Sequence, residues 1–270
     1  MFLQVDPIAL RLGGLEIHWY AIIIVTGILL AIYLSTKEGV KVGLKDDDVV
    51  DFMLWGLPLS IIGARLYYVL FELPYYLKHP LEIFAIWNGG LAIYGALIAG
   101  AITLYVFCRY HFINFWTFLD VAGPSVMLAQ AIGRWGNFMN HEAYGPDTTR
   151  SFLEKLHLPT FIIDNMYIDG IYRTPTFLYE SAWNVLGFFL IIYLRHTEKV
   201  FKQGEVFLSY IIWYSFGRFF VEGLRTDSLY VFGVIRVSQA LSLLLFFGAI
   251  ALIIVRRKLY PQLPRYVRTK

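Results

Sequence analysis

Between Gly133 and Gly145 the chain reads Gly-Arg-Trp-Gly-Asn-Phe-Met-Asn-His-Glu-Ala-Tyr-Gly. An arginine, two amides, an imidazole and a carboxylate crowd the end of an apolar run there. Arg134, Asn137 and Asn140 recur every three residues, so on a helix they share one face. Gly133 and Gly136 let a ligand or another helix come close. A second group is Tyr214, Arg218 and Glu222, which at i, i+4 and i+8 form one stripe, with Arg225 three residues beyond. An arginine inside an apolar helix needs a partner, and Glu222 is one turn from Arg218. Taken alone, this stripe fits a packing ion pair and a functional one equally well. His18-Trp19-Tyr20, at the start of the first apolar run, fits an interfacial aromatic belt. Ionisable groups within a membrane are expensive and are functional hypotheses by default. Arginine is the side chain best matched to bidentate phosphate binding. Two such arginines among Asn, Glu and Tyr predict a wet cavity with apolar flanks, suited to a phospholipid head group whose acyl chains stay in the bilayer.

These residues need membrane helices to hold them. Of 270 residues, 58% are hydrophobic and 16% charged, against about 25% charged in a soluble domain. Aromatics reach 18%, which suits many membrane–water boundaries. Composition therefore excludes a soluble enzyme or nucleic-acid binder. A spanning helix needs about 20 largely apolar residues. Seven segments qualify, near 17–36, 49–71, 91–108, 116–134, 177–194, 204–222 and 235–255. The expected fold is an all-α integral membrane protein with seven transmembrane helices. It forms a single polytopic membrane domain over 1–270, with an external loop or head region at 137–175. Asp6-Pro7 and Gly13-Gly14 precede the first run, with no basic stretch, so that run is expected to be a retained helix.

Lys and Arg set the orientation. Lys37, Lys41 and Lys45 follow the first helix and Arg109 closes the third. Arg195, Lys199 and Lys202 follow the fifth, and Arg256, Arg257, Lys258, Arg265, Arg268 and Lys270 follow the seventh. The alternate connections carry fewer. This predicts the N-terminus outside and the C-terminus in the cytoplasm. Ala92, Ala96 and Gly100 resemble a small-xxx-small packing stripe. The single cysteine, Cys108, excludes an intramolecular disulfide and reads as a buried, inert thiol. No His or Cys pair has metal-ligand spacing, so neither metal nor cofactor is expected. A transporter would also carry intramembrane Arg and Glu, but no inverted repeat or matched pair of broken helices is present.

The 133–145 stretch resembles the signature of the prolipoprotein diacylglyceryl transferase family, G-R-x-G-N-F-[apolar]-N-x-E-x-x-G, with every fixed position filled. The resemblance extends through His18-Trp19-Tyr20, Gly63-Ala64-Arg65, Gly89 to Gly95, Pro175 to Glu180, Tyr214 to Arg225 and Ser238-Gln239. It implies seven spans in the bacterial cytoplasmic (inner) membrane, with the active site towards the outer leaflet. It implies phosphatidylglycerol as donor and the lipobox cysteine of prolipoprotein signal peptides as acceptor. A thioether-linked diacylglyceryl group forms and glycerol 1-phosphate leaves, the first step of lipoprotein maturation. The resemblance matches Arg134 and Arg218 to arginines held essential and Tyr20, Asn137, Glu142, Gly145, Tyr214 and Glu222 to further functional positions. With Tyr94 added from its place in the chain, the expected catalytic residues are Arg134, Arg218, Tyr94, Glu142 and Glu222, the two glutamates holding the arginines in place or serving as the base. The residues expected to bind phosphatidylglycerol are Tyr20, Arg134, Asn137, Gly145, Tyr214 and Arg218, with Asn140 and Arg225 added from their spacing.

Two positions depart from the pattern. Tyr94 stands where many relatives have a histidine proposed as the base, and Thr174 stands where another histidine is common. A tyrosine, with an ordinary pKa of about 10, is a poor base. Tyr94 is therefore expected to orient the thiol or the phosphate by hydrogen bonding, with fixed positive charge dominating catalysis. Steady-state kinetics of Tyr94→Phe check this. A loss of roughly tenfold, about 1.4 kcal/mol, is expected, and near-full activity would remove Tyr94 from any required proton transfer.

Overall fold

The computed structural model describes residues 5–197, 200–225, 230–231 and 235–266. Lys199, Arg268 and Lys270, counted above for orientation, lie outside the described residues. Each of the seven segments is a helix: α1 (Trp19–Lys41), α2 (Asp48–Phe71), α3 (Ile93–Tyr110), α4 (Phe115–Met139), α5 (Thr176–Arg195), α6 (Glu205–Leu224) and α7 (Val237–Leu259). Among the described residues, six are long and apolar enough to cross a membrane; α6 is the exception. It carries Glu205, Arg218 and Glu222. Without water in a bilayer core, the helix is the form that satisfies every backbone polar group within one segment. Pro58 in α2 and Pro124 in α4 are accommodated inside their helices.

The chain divides into two compact units, one of residues up to Leu34 with Leu119 onward, the other built on Ser35–Phe118. In the second, α2 and α3 cross closely. Gly63 and Gly95 face each other's backbone, Ala99 packs on Gly63, and Gly100 faces the Ser60 hydroxyl. The small-residue stripe thus centres on Gly95 and Ala99, one helical position from the Ala92/Ala96 series. The buried Arg65 guanidinium closes the α2–α3 connection. Its Nε donates to Ile83 O at 2.8 Å, its Nη1 to Gly89 O at 2.8 Å and Gly90 O at 3.0 Å, and its Nη2 to Glu82 O at 2.5 Å. The Ala92 N–H donates to Ala64 O at 3.1 Å. Arg65 is thereby spent on backbone carbonyls, and α3 enters its crossing with Tyr94 in its first turn. Cys108 is buried in this unit.

In the first unit, a two-stranded hairpin, β1 (Ile8–Leu12) and β2 (Leu15–His18), runs directly into α1. Residues 137–175 are not an open loop. They form a three-stranded antiparallel sheet, β3 (Asp147–Thr148), β4 (Tyr167–Ile168) and β5 (Ile171–Arg173), in the order β3-β5-β4, with two short helices at Arg150–Lys155 and Thr160–Asn165. Leu153, Ile162, Ile163, Met166 and Ile168 bury themselves against Phe138 of α4 and Phe177 of α5. Thr149 caps the first short helix, its Oγ1 accepting the Phe152 N–H at 3.2 Å. Arg150 joins that helix to the rest of the region. Its Nε donates to Glu154 at 2.8 Å and its Nη1 to Asp164 and the Tyr172 hydroxyl, each at 3.2 Å. These partners raise its pKa further.

Helices α5 and α6 are locked by a reciprocal pair of tryptophans. The Trp183 and Trp213 rings stack at 4.3 Å, and each indole N–H donates to the other's backbone carbonyl at 2.9 Å. Each ring also presses on a glycine of the facing helix, Trp213 on Gly187 and Trp183 on Gly217. The α6 N-terminus is held from α4. The fully buried Asp120 carboxylate accepts the N–H of Gly204 at 2.5 Å and of Phe207 at 2.9 Å, satisfying two donors that a helix start leaves open. Glu205 then takes a bidentate pair from Arg257 of α7, at 2.6 and 2.7 Å. A hydrogen bond to a charged group contributes about 1.5–3 kcal/mol. Asp120→Ala is expected to lower the thermal midpoint of the detergent-solubilised protein by several degrees, and Asp120→Asn, which keeps one acceptor, by less. Unchanged midpoints in both would show that the cap contributes nothing.

Candidate functional site

Helix α4 ends at Met139 in a turn that folds the chain back on itself. The His141 N–H donates to Phe138 O at 3.1 Å and the Glu142 N–H to Asn137 O at 3.0 Å, with His141 left-handed at φ 52°. This is a Schellman-type closure with histidine at the position glycine usually takes. It turns the Glu142 side chain onto the last helical turn, where its Oε1 accepts from Asn137 Nδ2 at 2.9 Å. Asn137 Oδ1 in turn accepts from Arg134 Nη1 at 3.3 Å. The expected shared face of Arg134 and Asn137 is therefore a bonded chain that ends on Glu142. Asn140 lies past the helix end, and its buried Oδ1 has no hydrogen-bond partner among the described residues. The Arg134 Nε is likewise buried and unpartnered.

The residue that joins the two arginines is Glu180 of α5. Its Oε1 pairs with Arg134 Nη2 at 3.0 Å, and Arg218 Nη1 of α6 lies 3.4 Å from both of its oxygens. Arg218 Nη2 pairs with Glu222 Oε2 at 2.5 Å, one turn along α6. Both carboxylates are buried and both arginines are mostly so. The two arginines expected to line a wet cavity are thus each engaged by a buried carboxylate. Removing one member of such a buried pair strands its partner and costs about 3–5 kcal/mol. Arg236, at the start of α7, donates to the Glu222 carbonyl, and Gln239 Nε2 donates to Phe219 O at 3.1 Å. The last turn of α6 is therefore braced from α7.

Helix α1 runs antiparallel along α4 on small residues: Gly27 on Ala129, Ile24 on Gly133 and Tyr20 on Gly136. A Cβ on Gly136 would sit 2.8 Å from Tyr20 Cδ2. Tyr20 is therefore seated between Arg134 and Asn137 in sequence, on the glycine that separates them. Gly145 has a packing role. Its N–H donates to Thr174 O at 2.9 Å, and a Cβ there would meet the Thr174 and Thr176 side chains at 2.9 Å. Thr174 Oγ1 itself donates to Pro146 O at 2.9 Å.

Tyr214 packs beside Tyr210 on the cluster of Met127, Phe188, Ile191 and Val206. Arg225 closes α6 through its backbone, its N–H donating to Glu222 O at 3.2 Å. Tyr94 belongs to the Ser35–Phe118 unit. Sequence reasoning missed Glu180 as a site residue. Its only signal was its place at the end of Pro175-Thr176-Phe177-Leu178-Tyr179-Glu180, because a pairing across two helices leaves no spacing to read.

Overpacking a close contact costs about 1–3 kcal/mol. Gly136→Ala is expected to displace Tyr20, lowering kcat/KM by roughly tenfold or more and the thermal midpoint by a few degrees. Full activity in a normally folded Gly136→Ala protein would detach Tyr20 from the site.

A family model described as prolipoprotein diacylglyceryl transferase matches residues 7–255. A phosphatidylglycerol–prolipoprotein diacylglyceryl transferase of Enterococcus faecalis is 66% identical over 270 residues, covering 100% of this chain and 97% of the relative. Proteins of the same name from Ligilactobacillus salivarius and Lactobacillus gasseri are 58% identical over 262 residues and 57% identical over 258 residues. These matches cover 97% and 96% of this chain, and 97% and 93% of the relatives. With the signature, the helices and the paired arginines in place, the chain belongs to the prolipoprotein diacylglyceryl transferase family.

Proposed function

We propose that this chain transfers the diacylglyceryl group of phosphatidylglycerol to the lipobox cysteine thiol of prolipoproteins, at a site formed by Arg134, Arg218, Glu180, Glu222, Asn137, Glu142 and Tyr20. The observation that carries the site is the gathering of Arg134 and Arg218 on one carboxylate. Two guanidinium groups held this way offer a phosphate two sets of donors without a search through rotamers.

The thiol sulfur attacks the glyceryl carbon that bears the phosphate ester. A carbon–sulfur bond forms, the carbon–oxygen bond breaks, and the electron pair leaves on glycerol 1-phosphate. Charge grows on the phosphate oxygens in the transition state, where fixed cations stabilise it. The thiol proton needs an acceptor. Glu180 and Glu222 are tied to arginine, whereas Glu142 is exposed and bonded to an amide. Glu142 is assigned as the acceptor, and Tyr94 as a hydrogen-bonding group for thiol or phosphate. Asn140, Gly145, Tyr214 and Arg225 are assigned supporting contacts around the lipid rather than charge stabilisation.

The proposed topology is seven crossings of the bacterial cytoplasmic membrane within a single polytopic domain. The N-terminus and the 137–175 region lie outside, the C-terminus lies in the cytoplasm, and the site faces the outer leaflet. Lys37, Lys41, Lys45, Arg109, Arg195, Lys202, Arg256, Arg257 and Lys258 cluster at the ends assigned inside. Two features support α6 as a crossing: it is 20 residues long, and its charges are paired, Arg218 with Glu222 and Glu205 with Arg257.

The test is to incubate purified protein with phosphatidylglycerol and a lipobox peptide and to follow the diacylglyceryl adduct and glycerol phosphate by mass spectrometry. Adduct is expected on the cysteine peptide and not on its Cys→Ser form. Arg134→Ala is expected to lose about 10²–10³-fold in kcat, and Glu180→Gln at least about tenfold. Phosphatidylglycerol bound to well-folded protein without any adduct would overturn the reading in favour of lipid binding alone.

A further inference from the structure

The β1–β2 hairpin is amphipathic in a way its own unit does not use. Its register pairs Leu10 with Ile17 and Leu12 with Leu15 on one face, and Arg11 with Glu16 on the other. The polar face satisfies itself. Arg11 Nη2 pairs with Asp6 at 2.7 Å and Arg11 Nε lies 3.8 Å from Glu16. The Ile8 N–H first, then Arg11, hold the Asp6 carboxyl below its usual range. The apolar face is open, with Leu10, Leu12 and Leu15 exposed at 48, 57 and 62%. An isolated two-stranded hairpin is marginal in water, so this face needs a cover. Chain continuity says what covers it. His18 leads without a linker into the membrane-length helix α1, the Trp19 N–H donates to Pro7 O at 2.9 Å, and the Val5 N–H donates to Asn165 at 2.7 Å. The hairpin is thus tied to the first turn of a membrane-length helix and, through Val5, to the 137–175 region.

We propose that the hairpin lies on the outer membrane interface by its Leu10/Leu12/Leu15 face and so fixes the depth of Tyr20 against the phosphate layer. The proposal rests on the reading of Tyr20 as part of the phospholipid site. A second connection has the same character independently. In the α2–α3 connection, Leu81, Phe84 and Trp87 are spaced by three across two 3₁₀ turns and exposed at 85, 75 and 79%. Leu81 and Phe84, three apart in the first 3₁₀ segment, stand in one row, and Trp87 follows in the second. This segment joins two membrane-length helices and is held rigid by Arg65. The bilayer interface is its partner too.

The experiment uses full-length protein in phosphatidylglycerol-containing liposomes, in a Cys108→Ser background. Single cysteines at residue 12, 15, 81 or 84 on the apolar rows, or at 11, 16 or 82 on the polar ones, carry a nitroxide. Collision with oxygen and with a water-soluble nickel chelate is read by electron paramagnetic resonance. Labels at 12, 15, 81 and 84 are expected to favour oxygen, and those at 11, 16 and 82 nickel. Nickel access at all positions would overturn the proposal, as would dipolar broadening that marks a second protein copy as the cover. Leu12→Glu/Leu15→Glu is expected to raise KM for liposomal phosphatidylglycerol about tenfold with kcat retained. An unchanged KM would overturn the role in setting depth. If the labels report the interface while the wild-type protein makes no adduct, the catalytic reading fails and the anchor stands.

Discussion

The shared carboxylate of Glu180 is the constraint on which the site depends. Arg134 comes from α4, Glu180 from α5 and Arg218 from α6, and none can move without stranding a buried charge. In a low-dielectric interior, two unpaired cations would repel each other and be forced towards water. One carboxylate placed between them removes that conflict, and Glu222 completes the balance on Arg218. The surrounding packing serves this arrangement. The Trp183–Trp213 clamp fixes the register of α5 against α6 one turn from Glu180. On the other side, Trp135 Nε1 donates to Ser181 Oγ at 3.2 Å, and Ser181 Oγ donates to Ala131 O at 2.9 Å, which seats α5 on α4 beside Arg134.

What the sequence made legible follows from how each signal is encoded. Helix positions were readable because length and hydropathy are local, and all seven expected segments are helical. The Arg218–Glu222 pair was readable because partners four apart on a helix must be neighbours. The Arg134–Asn137–Glu142 chain was half readable. The spacing of three joined the first two, but only the left-handed turn at His141 brings Glu142 back. Glu180 and the seat of Tyr20 on Gly136 were not readable, because both are contacts between helices. The 137–175 stretch looked like a loop because its strands are two or three residues long and its core is borrowed from Phe138 and Phe177. For Tyr214 only the spacing was readable, not the packing. Its place on the Arg218 stripe predicts a site role, while its ring packs into an apolar cluster.

The neutralised state of the arginines bears on turnover. A phosphodiester carries one negative charge, and the phosphate monoester that leaves carries nearly two at neutral pH. Binding energy accelerates a reaction only where it is larger in the transition state than in the ground state. Bare arginines would grip the donor lipid and the product alike. Arginines already engaged by Glu180 and Glu222 make any incoming phosphate compete with carboxylates, which weakens the hold on the monoanionic lipid. The competition is most favourable to the phosphate when its charge is rising, as the carbon–oxygen bond breaks. After transfer, the same carboxylates are in place to reclaim Arg134 and Arg218 and displace glycerol phosphate. On the proposed reading, the pairing of Arg134 and Arg218 with Glu180 and Glu222 keeps the affinity of the site matched to release.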